Sequence, residues 1–231
     1  MRVLGIIPAR GGSKGVRRKN VRLVGGQPLI AYTIQAAQKS RSITRFITST
    51  DDEEIAAVAE SLGCPVLKRS VELAADDTPM VPVVKHALAQ DSGTYDYVLL
   101  LQPTAPFRTH DDIDDALSEL VKAGSDSVVS VYQVTDNHPA RMYRCAEGRL
   151  VPYEAEPPAR LRQGLPPVYH RNGAIYACRR ELIDQHDSLT GSDIAPYIMP
   201  RERSFNIDDE VDLAFVDYLL SQQHKTWQTR Q

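Results

Sequence analysis

The sequence predicts a doubly wound α/β fold, in which a mostly parallel sheet carries helices on both faces. Three observations support this prediction: strands and amphipathic helices alternate from residue 3 to residue 133, a glycine-rich loop follows the first strand, and the helices each have one apolar face. The chain has 231 residues, of which 42% are hydrophobic. This is enough to bury one core, so residues 1–231 are predicted to form a single domain.

The alternation assigns the individual elements. Strands are predicted at 3–7, 46–49, 65–68, 97–101, 127–133 and 172–178. Helices are predicted at 28–39, from the acidic segment 51–54 to Gly63, at 81–90, from the cap residue Thr109 onwards, and at 211–220. The last helix is capped by Asp208 or Asp209, and we expect Asp209 to be the cap.

Residues 135–170 interrupt this alternation. The segment has little helical periodicity and contains prolines at 139, 152, 157, 158, 166 and 167. It is too long for a plain connection inside a compact domain, so we interpret it as a small inserted arm with short strands. A disordered linker is the alternative, but apolar residues such as Tyr143 and Leu150 favour packing against a partner surface.

The loop after the first strand combines glycines with cations. Its glycines are residues 11, 12 and 15, and its cations are Arg10, Lys14, Arg17, Arg18 and Lys19. Glycines let successive backbone N–H groups turn towards an anion, and the cations offset phosphate charge. Residues 1–50 carry ten Lys and Arg and no Asp or Glu. The loop therefore predicts a polyphosphate site, with a solvated surface turn as the alternative.

Composition excludes several classes of function. The net charge of −3 and the single Trp do not indicate nucleic-acid binding. No apolar run approaches the length of a membrane span, and the short first strand runs into the basic loop without the pattern of a signal peptide. The three cysteines, at 64, 145 and 178, lack metal-site spacing. We therefore expect a reduced, cytoplasmic protein without a nucleic-acid or membrane partner.

Gln102 follows the fourth predicted strand, in the segment Leu-Gln-Pro-Thr-Ala-Pro at 101–106. The carboxyl ends of parallel strands meet at one edge of the sheet, so Gln102 is expected over the same crevice as the first loop. Its amide can pair with a base or a sugar hydroxyl, while the neighbouring prolines stiffen the turn. A rigid turn without a binding role is the alternative.

Five segments, taken together and in this order, closely resemble the acylneuraminate cytidylyltransferases (CMP-sialic acid synthetases). They are Ile-Pro-Ala-Arg-Gly-Gly-Ser-Lys-Gly at 7–15 with Lys19-Asn20, the segment at 101–106, Arg-Gln-Gly-Leu-Pro at 162–166, Asn-Gly-Ala-Ile-Tyr at 172–176, and Phe-Asn-Ile-Asp-Asp-Glu at 205–210. The resemblance implies a nucleotide-diphospho-sugar transferase-like fold. It also implies transfer of CMP from CTP to the anomeric hydroxyl of a 2-keto-3-deoxy sugar acid, release of pyrophosphate, a need for Mg²⁺, and a homodimer whose 135–170 arm reaches over the partner's site.

The resemblance also assigns roles to residues. Arg10, Lys19 and Asp208 are the implied catalytic residues. The implied nucleotide contacts are Ala9, Arg10, Gly11, Gly12, Ser13, Lys19, Asn20 and Gln102. The implied acceptor contacts are Gln102, Arg162, Asn172 and Tyr176, with the Arg162 fork matched to a carboxylate; from spacing alone Arg162 is an exposed charge.

Two departures from the family pattern bear on metal and acceptor. Asn206 stands where relatives commonly have aspartate, so Asp208 and Asn206 are expected to hold Mg²⁺ with one carboxylate instead of two. Paired aromatics expected near residues 188 and 189 are missing. The acceptor therefore stays open among related ulosonic acids and phosphonates, and a catalytically weak nucleotide-binding homologue is the alternative to an enzyme.

Overall fold

The computed structural model describes residues 1–154 and 164–228, with side chains described as far as residue 222. The described strands are β1 (Val3–Pro8), β2 (Leu23–Val24), β3 (Gln27–Pro28), β4 (Arg45–Thr50), β5 (Val66–Lys68), β6 (Tyr97–Leu100), β7 (Ser127–Gln133), β8 (Tyr143–Ala146), β9 (Arg149–Pro152), β10 (Tyr169–Arg179) and β11 (Ile194–Ile198). The described α-helices are α1 (Leu29–Lys39), α2 (Glu53–Ser61), α3 (Met80–Gln90), α4 (His110–Ala123), α5 (Arg180–His186) and α6 (Glu210–Gln228).

Seven strands form the central sheet in the order β11-β7-β10-β6-β1-β4-β5. The pairs β1–β4, β1–β6, β4–β5 and β7–β11 are parallel, whereas β10 runs antiparallel to both β6 and β7. The predicted doubly wound, mostly parallel sheet is therefore confirmed. The carboxyl ends of β1, β4, β5 and β6 meet at one edge, where open sheets of this type bind ligands.

Alternate residues of β1 supply the cores on the two faces of the sheet. Val3 and Ile7 belong to the apolar cluster that includes Ile34 of α1. Leu4 belongs to the opposite cluster, which includes Val84 of α3. Successive side chains of a strand point to opposite faces, so a strand covered by helices on both sides must be apolar throughout.

The helix boundaries follow capping chemistry. The Asp52 side chain accepts hydrogen bonds from the first turn of α2. Thr109 and Asp112 form a reciprocal capping box at the start of α4, and Gly124 ends that helix in the left-handed region. Asp209 Oδ1 accepts from the backbone N–H groups of Val211 and Asp212 at 2.8 and 2.9 Å. The prediction that Asp209 caps α6 is therefore confirmed.

A hairpin, a short helix and an edge strand were not predicted. The β2–β3 hairpin turns through Gly25 and Gly26, both at positive φ, with only two residues in each strand. Helix α5 has seven residues. Strand β11 contains Pro196 and, among the described strands, pairs with β7 alone, at the sheet edge. Short elements lack a measurable period, and a proline argues against a strand unless the strand lies at an edge.

The predicted arm contains one described hairpin, β8–β9, which turns through Glu147 and Gly148, both at positive φ. All eight strand residues of this hairpin are exposed. At the base of the arm, Val134 N–H donates to the Val168 carbonyl at 2.8 Å. The short strands predicted for this segment are therefore present.

Among the α-helices described here, none is apolar over a length that could cross a membrane.

Candidate active site

A cavity of about 510 Å³ opens at the carboxyl edge of the sheet. Four segments line it: the loop after β1, the loop after β5, the turn after β6, and residues 206 and 208 before α6. We call it the first cavity. Its charged lining residues are Arg10, Lys14, Lys19, Arg69, Asp76 and Asp208. Cations from the first loop and the aspartate at 208 thus share one cleft, as the sequence predicted.

Close backbone contact holds the first loop against the segment before α6. A Cβ on Gly15 would lie 2.0 Å from the Asp208 carbonyl oxygen, so only glycine fits there. Lys19 Nζ donates to the Ile207 carbonyl at 2.7 Å. Burial lowers the pKa of the Lys19 ammonium, and the charge of Asp208 partly offsets that effect. The loop and Asp208 therefore form one rigid wall.

Asp76 lies between two cations of the first loop. Its Oδ1 is 2.7 Å from Arg10 Nη2, and its Oδ2 is 2.5 Å from Lys14 Nζ. Arg10 Nη1 also donates to the Ala75 carbonyl at 3.1 Å. The hydrogen bond from Lys14, with the nearby Arg10, lowers the pKa of the Asp76 carboxyl. The Asp76 carboxylate therefore pairs with two of the cations that the sequence assigns to phosphate binding.

In the predicted backbone cradle, the N–H groups of Gly11 and Ser13, and that of the neighbouring Ala9, donate to acceptors within the protein. Gly11 N–H donates to Asp51 Oδ1 at 3.1 Å, Ser13 N–H donates to the Gly11 carbonyl at 3.1 Å, and Ala9 N–H donates to the Ser49 carbonyl at 2.9 Å. The predicted phosphate contacts of Ala9, Gly11, Gly12 and Ser13 stay predictions. Of this group, Ser13 lines the first cavity.

Asn20 supports the first loop from beneath. Its side chain is buried, and its Nδ2 donates to the Arg10 carbonyl at 3.0 Å. This bond fixes the backbone that carries the Arg10 guanidinium. Asn20 also lines the first cavity, and its predicted contact with the nucleotide stays a prediction.

Arg69 is a lining residue that the sequence analysis missed. Its side chain is only 8% exposed, and its Nε and Nη1 are buried without a hydrogen-bond partner. Burial lowers the pKa of the Arg69 guanidinium, although the charge of Asp51 opposes the shift. Unpaired buried donors are costly, so this guanidinium is suited to an oxygen-rich ligand. Its position directly after β5, at a strand's carboxyl end, was the available signal.

A second cavity, also about 510 Å³, adjoins the first. It shares Gln102, Asn206 and Asp208 with the first cavity. Its other lining residues are Tyr169, His170, Arg171, Asn172, Gly173 and Tyr176. The predicted acceptor contacts Gln102, Asn172 and Tyr176 line this second cavity, and Gln102 is also a predicted nucleotide contact that lines the first. Arg162 lies outside the described residues.

Gly173 and Arg108 set the position of Gln102. Gly173 has φ +73°, and a Cβ there would lie 3.0 Å from Gln102 Oε1 and 3.3 Å from Asn206 Oδ1. The buried Arg108 guanidinium donates from Nη1 to the carbonyls of Gln102 and Ala174 at 3.1 and 2.8 Å. Burial lowers the pKa of Arg108 to about 9. A buried cation thus ties the Gln102 turn to β10.

Asn172 uses both ends of its amide inside the protein. It is 2% exposed; its Oδ1 accepts from Ser130 Oγ at 2.6 Å, and its Nδ2 donates to Ser204 Oγ at 3.0 Å. These bonds hold the irregular part of β10, and the predicted contact of Asn172 with the acceptor stays a prediction.

Tyr176 is half-buried, which raises the pKa of its phenol, while the charge of Arg171 opposes that effect.

Asp208 and Asn206, the residues predicted to hold a metal ion, lie side by side; their role as metal ligands stays a prediction. Asn206 Nδ2 donates to Asp208 Oδ2 at 2.7 Å, and Asn206 Oδ1 is buried without a hydrogen-bond partner. Among the side chains described, those of residues 1–154 and 164–222, no group of three His, Cys, Asp or Glu could enclose a metal ion. One carboxylate and one free amide oxygen fit Mg²⁺ when substrate phosphates supply the other ligands.

A doubly wound sheet with a cationic cleft at its carboxyl edge is typical of α/β proteins that bind phosphorylated ligands. Residues 4–199 match the cytidylyltransferase family. The chain belongs to this family, which confirms the family and the enzyme class predicted from the sequence.

Individual relatives agree with this assignment. The chain is 36% identical over 225 residues to the CMP-N,N'-diacetyllegionaminic acid synthase of Legionella pneumophila, covering 95% of this chain and 97% of that protein. It is 35% identical over 213 residues to the N-acylneuraminate cytidylyltransferase of Escherichia coli, covering 91% of this chain but 50% of that protein. The chain therefore spans about half the length of the latter relative.

A solved structure shares the fold. It is a CMP:2-keto-3-deoxy-manno-octonic acid synthetase complexed with CTP, which superposes with a TM-score of 0.74 and covers 96% of this chain and 100% of that one. The sequence identity is 15%, so this likeness supports the fold alone.

Proposed function

We propose that this enzyme transfers CMP from CTP to the anomeric hydroxyl of a 2-keto-3-deoxy sugar acid, sialic acid-like, and releases pyrophosphate. The observation that carries the proposal is the wall shared by the two cavities, formed by Gln102, Asn206 and Asp208. Cations surround the first cavity, which suits a triphosphate, and polar and aromatic residues line the second, which suits a sugar acid. The names of the relatives, which act on acids of this kind, favour the same reaction.

The reaction needs positioning and fixed charge more than covalent help. The acceptor oxygen forms a bond to the α-phosphorus, the bond from that phosphorus to the bridging oxygen of pyrophosphate breaks, and the hydroxyl proton leaves to solvent. Arg10 and Lys19 stabilise the charge that develops on the phosphate oxygens. For this, the Arg10 guanidinium exchanges Asp76 for phosphate.

We propose Mg²⁺ as the cofactor, with Asp208 and the free amide oxygen of Asn206 as its protein ligands. The ion would offset the charge of the triphosphate. Because the protein offers a single carboxylate here, we expect the affinity for Mg²⁺ to rise strongly when CTP is bound.

We also propose a cytoplasmic homodimer. The exposed β8–β9 hairpin carries large apolar side chains, with Tyr143 at 53% and Leu150 at 70% exposure, which favours a protein partner for the 135–170 arm. The cysteines at 64, 145 and 178 are free thiols, as expected in a reducing compartment. Sedimentation at micromolar concentration tests the dimer, and a monomer there contradicts it.

The test of the reaction is pyrophosphate release from CTP and Mg²⁺ with a panel of ulosonic acids. We expect release with at least one acid, dependence on Mg²⁺, and loss of release in Asp208→Asn. The exposed neighbour Asp209, replaced by Asn, is the control, because Asn preserves a helix cap. Intact CTP binding without release for any acid contradicts the proposed reaction and favours a nucleotide-binding protein without this activity.

A further inference from the structure

We infer that Arg171 binds the acidic group of the acceptor in the second cavity and thereby selects anionic acceptors. The inference rests on the proposed function, since it concerns the substrate of that reaction. It goes beyond the sequence prediction, which placed the carboxylate at Arg162.

The backbone of β10 holds Arg171 in place. Arg171 pairs with Val131 of β7, and the next registered pair is Tyr176 with Val129, so the chain between them bulges out of the ladder. Ser130 Oγ fixes this bulge by accepting from the Ile175 backbone N–H at 2.7 Å. Arg171 and Tyr176, on either side of the bulge, both line the second cavity. The guanidinium therefore stands on a rigid strand.

Charge distinguishes Arg171 from the cations of the first cavity. It is the one arginine or lysine among the described lining residues of the second cavity, and no carboxylate of residues 1–154 or 164–222 pairs with it. By contrast, Arg10 and Lys14 share the Asp76 carboxylate. The Arg171 guanidinium is thus free to accept an anion without first releasing one.

The two charged side chains that line the second cavity, Arg171 and Asp208, give the acceptor an orientation. Asp208 belongs to the shared wall, and its carboxylate offers the acid group no hydrogen-bond donor. Arg171 attracts the same carboxylate, and its planar fork can donate to both oxygens. An acceptor bound in this way directs its acid group to Arg171 and leaves its hydroxyl free to face the first cavity.

Calorimetry with defined acids tests the inference. The probes are N-acetylneuraminic acid, 2-keto-3-deoxy-manno-octonic acid and the neutral carboxamide of each, added to enzyme that holds a non-hydrolysable α,β-methylene CTP. We expect Arg171→Gln to weaken binding of the acids by roughly 10- to 100-fold, the range for hydrogen bonds to a charged group. Binding of the carboxamides and of the CTP analogue stays unchanged, and Arg171→Lys gives an intermediate loss.

Two further variants separate this effect from others. Arg41→Gln removes the same charge from an arginine with an 85% exposed side chain that lines neither cavity, and we expect wild-type binding. Arg162→Gln tests the other clamp. If Arg162→Gln removes the preference for acid over carboxamide while Arg171→Gln keeps it, the inference is wrong. It is also wrong if neither acid binds the wild-type protein.

The proposed function has its own readout, which is pyrophosphate release by the wild-type protein. Release that occurs while Arg171→Gln binds the acids normally overturns the inference alone. Acid binding that depends on Arg171 without any release overturns the proposed reaction and supports the inference.

Discussion

The two cavities differ in whether their cations form ion pairs with carboxylates of the protein. In the first, Asp76 contacts both Arg10 and Lys14, so a triphosphate bound by these cations would compete with a carboxylate of the protein. In the second, Arg171 has no carboxylate partner among the described residues. Binding in the first cavity therefore exchanges one set of ion pairs for another, whereas binding in the second adds a new pair. This contrast predicts that loss of a cation from the first cavity mainly lowers turnover, whereas loss of Arg171 from the second mainly lowers the affinity for the acceptor.

The largest effect is expected from Arg10→Gln. Because Arg10 already pairs with Asp76 in the free enzyme, its replacement costs little net affinity for CTP. It removes charge that stabilises the transition state, so kcat falls by about 100- to 1,000-fold. Steady-state kinetics with varied CTP measure both quantities.

The control for Arg10 is Arg17→Gln, a change at an exposed arginine of the same loop that lines neither cavity. Its kcat should match the wild-type value. An Arg10 variant whose KM for CTP rises as much as its kcat falls would show that Arg10 serves ground-state binding, and the contrast between the cavities would be lost.

An intermediate effect is expected from Gly173→Ala, which disturbs the shared wall. The new methyl group would lie 3.0 Å from Gln102 Oε1 at a φ of +73°. The strained backbone costs about 1–2 kcal/mol of unfolding free energy, and the displaced Gln102 amide should raise KM for nucleotide and acceptor together. Urea unfolding and kinetics with each substrate measure the two effects.

Gly124→Ala is the matched control for this change. Gly124 has a similar φ of +68°, but its Cβ would meet open space. The control should lose a similar free energy of unfolding and keep its kinetic constants. Equal kinetic losses in both variants would mean that stability, and not the contact with Gln102, explains the result.

Sequence predicted those parts of the site that local pattern determines. Strand ends locate Gln102 and the first loop at one edge of the sheet. Asn206 and Asp208 were predicted to act together from the resemblance alone. The role of Asp76 could not be predicted, because an exposed acidic residue in a loop acquires its partners only when β5 is placed beside β4. Arg171 is hidden for the same reason: a bulge, and not a regular strand, brings it to the cavity of Tyr176.

The glycine loop shows the limit of a motif. Glycines at 11, 12 and 15 predict a backbone cradle for phosphate, yet Gly11 N–H donates to Asp51, and Gly15 is required for contact with the Asp208 backbone. Glycine is equally suited to a close approach of two backbones and to a turn around an anion. Only the packed structure shows which requirement applies at each position.

The smallest effect is expected from Asp76→Asn, and it tests the comparison most directly. Removing the carboxylate frees Arg10 and Lys14 for phosphate, so inorganic pyrophosphate should inhibit the variant at a concentration a few-fold lower than it inhibits the wild type. The effect is modest because these ion pairs are partly solvated. Because pyrophosphate should dissociate more slowly from the variant, we also expect a lower turnover rate at high CTP.

Asp77→Asn is the control for this change, because Asp77 is an exposed neighbour that does not line the first cavity. Both variants raise the net charge by one, so they share any long-range attraction for anions. If Asp77→Asn and Asp76→Asn increase pyrophosphate inhibition equally, the Asp76 carboxylate does not compete with pyrophosphate. Stronger inhibition of Asp76→Asn than of Asp77→Asn means that Asp76 weakens the binding of pyrophosphate to Arg10 and Lys14. The same cations could then bind a triphosphate and still release pyrophosphate.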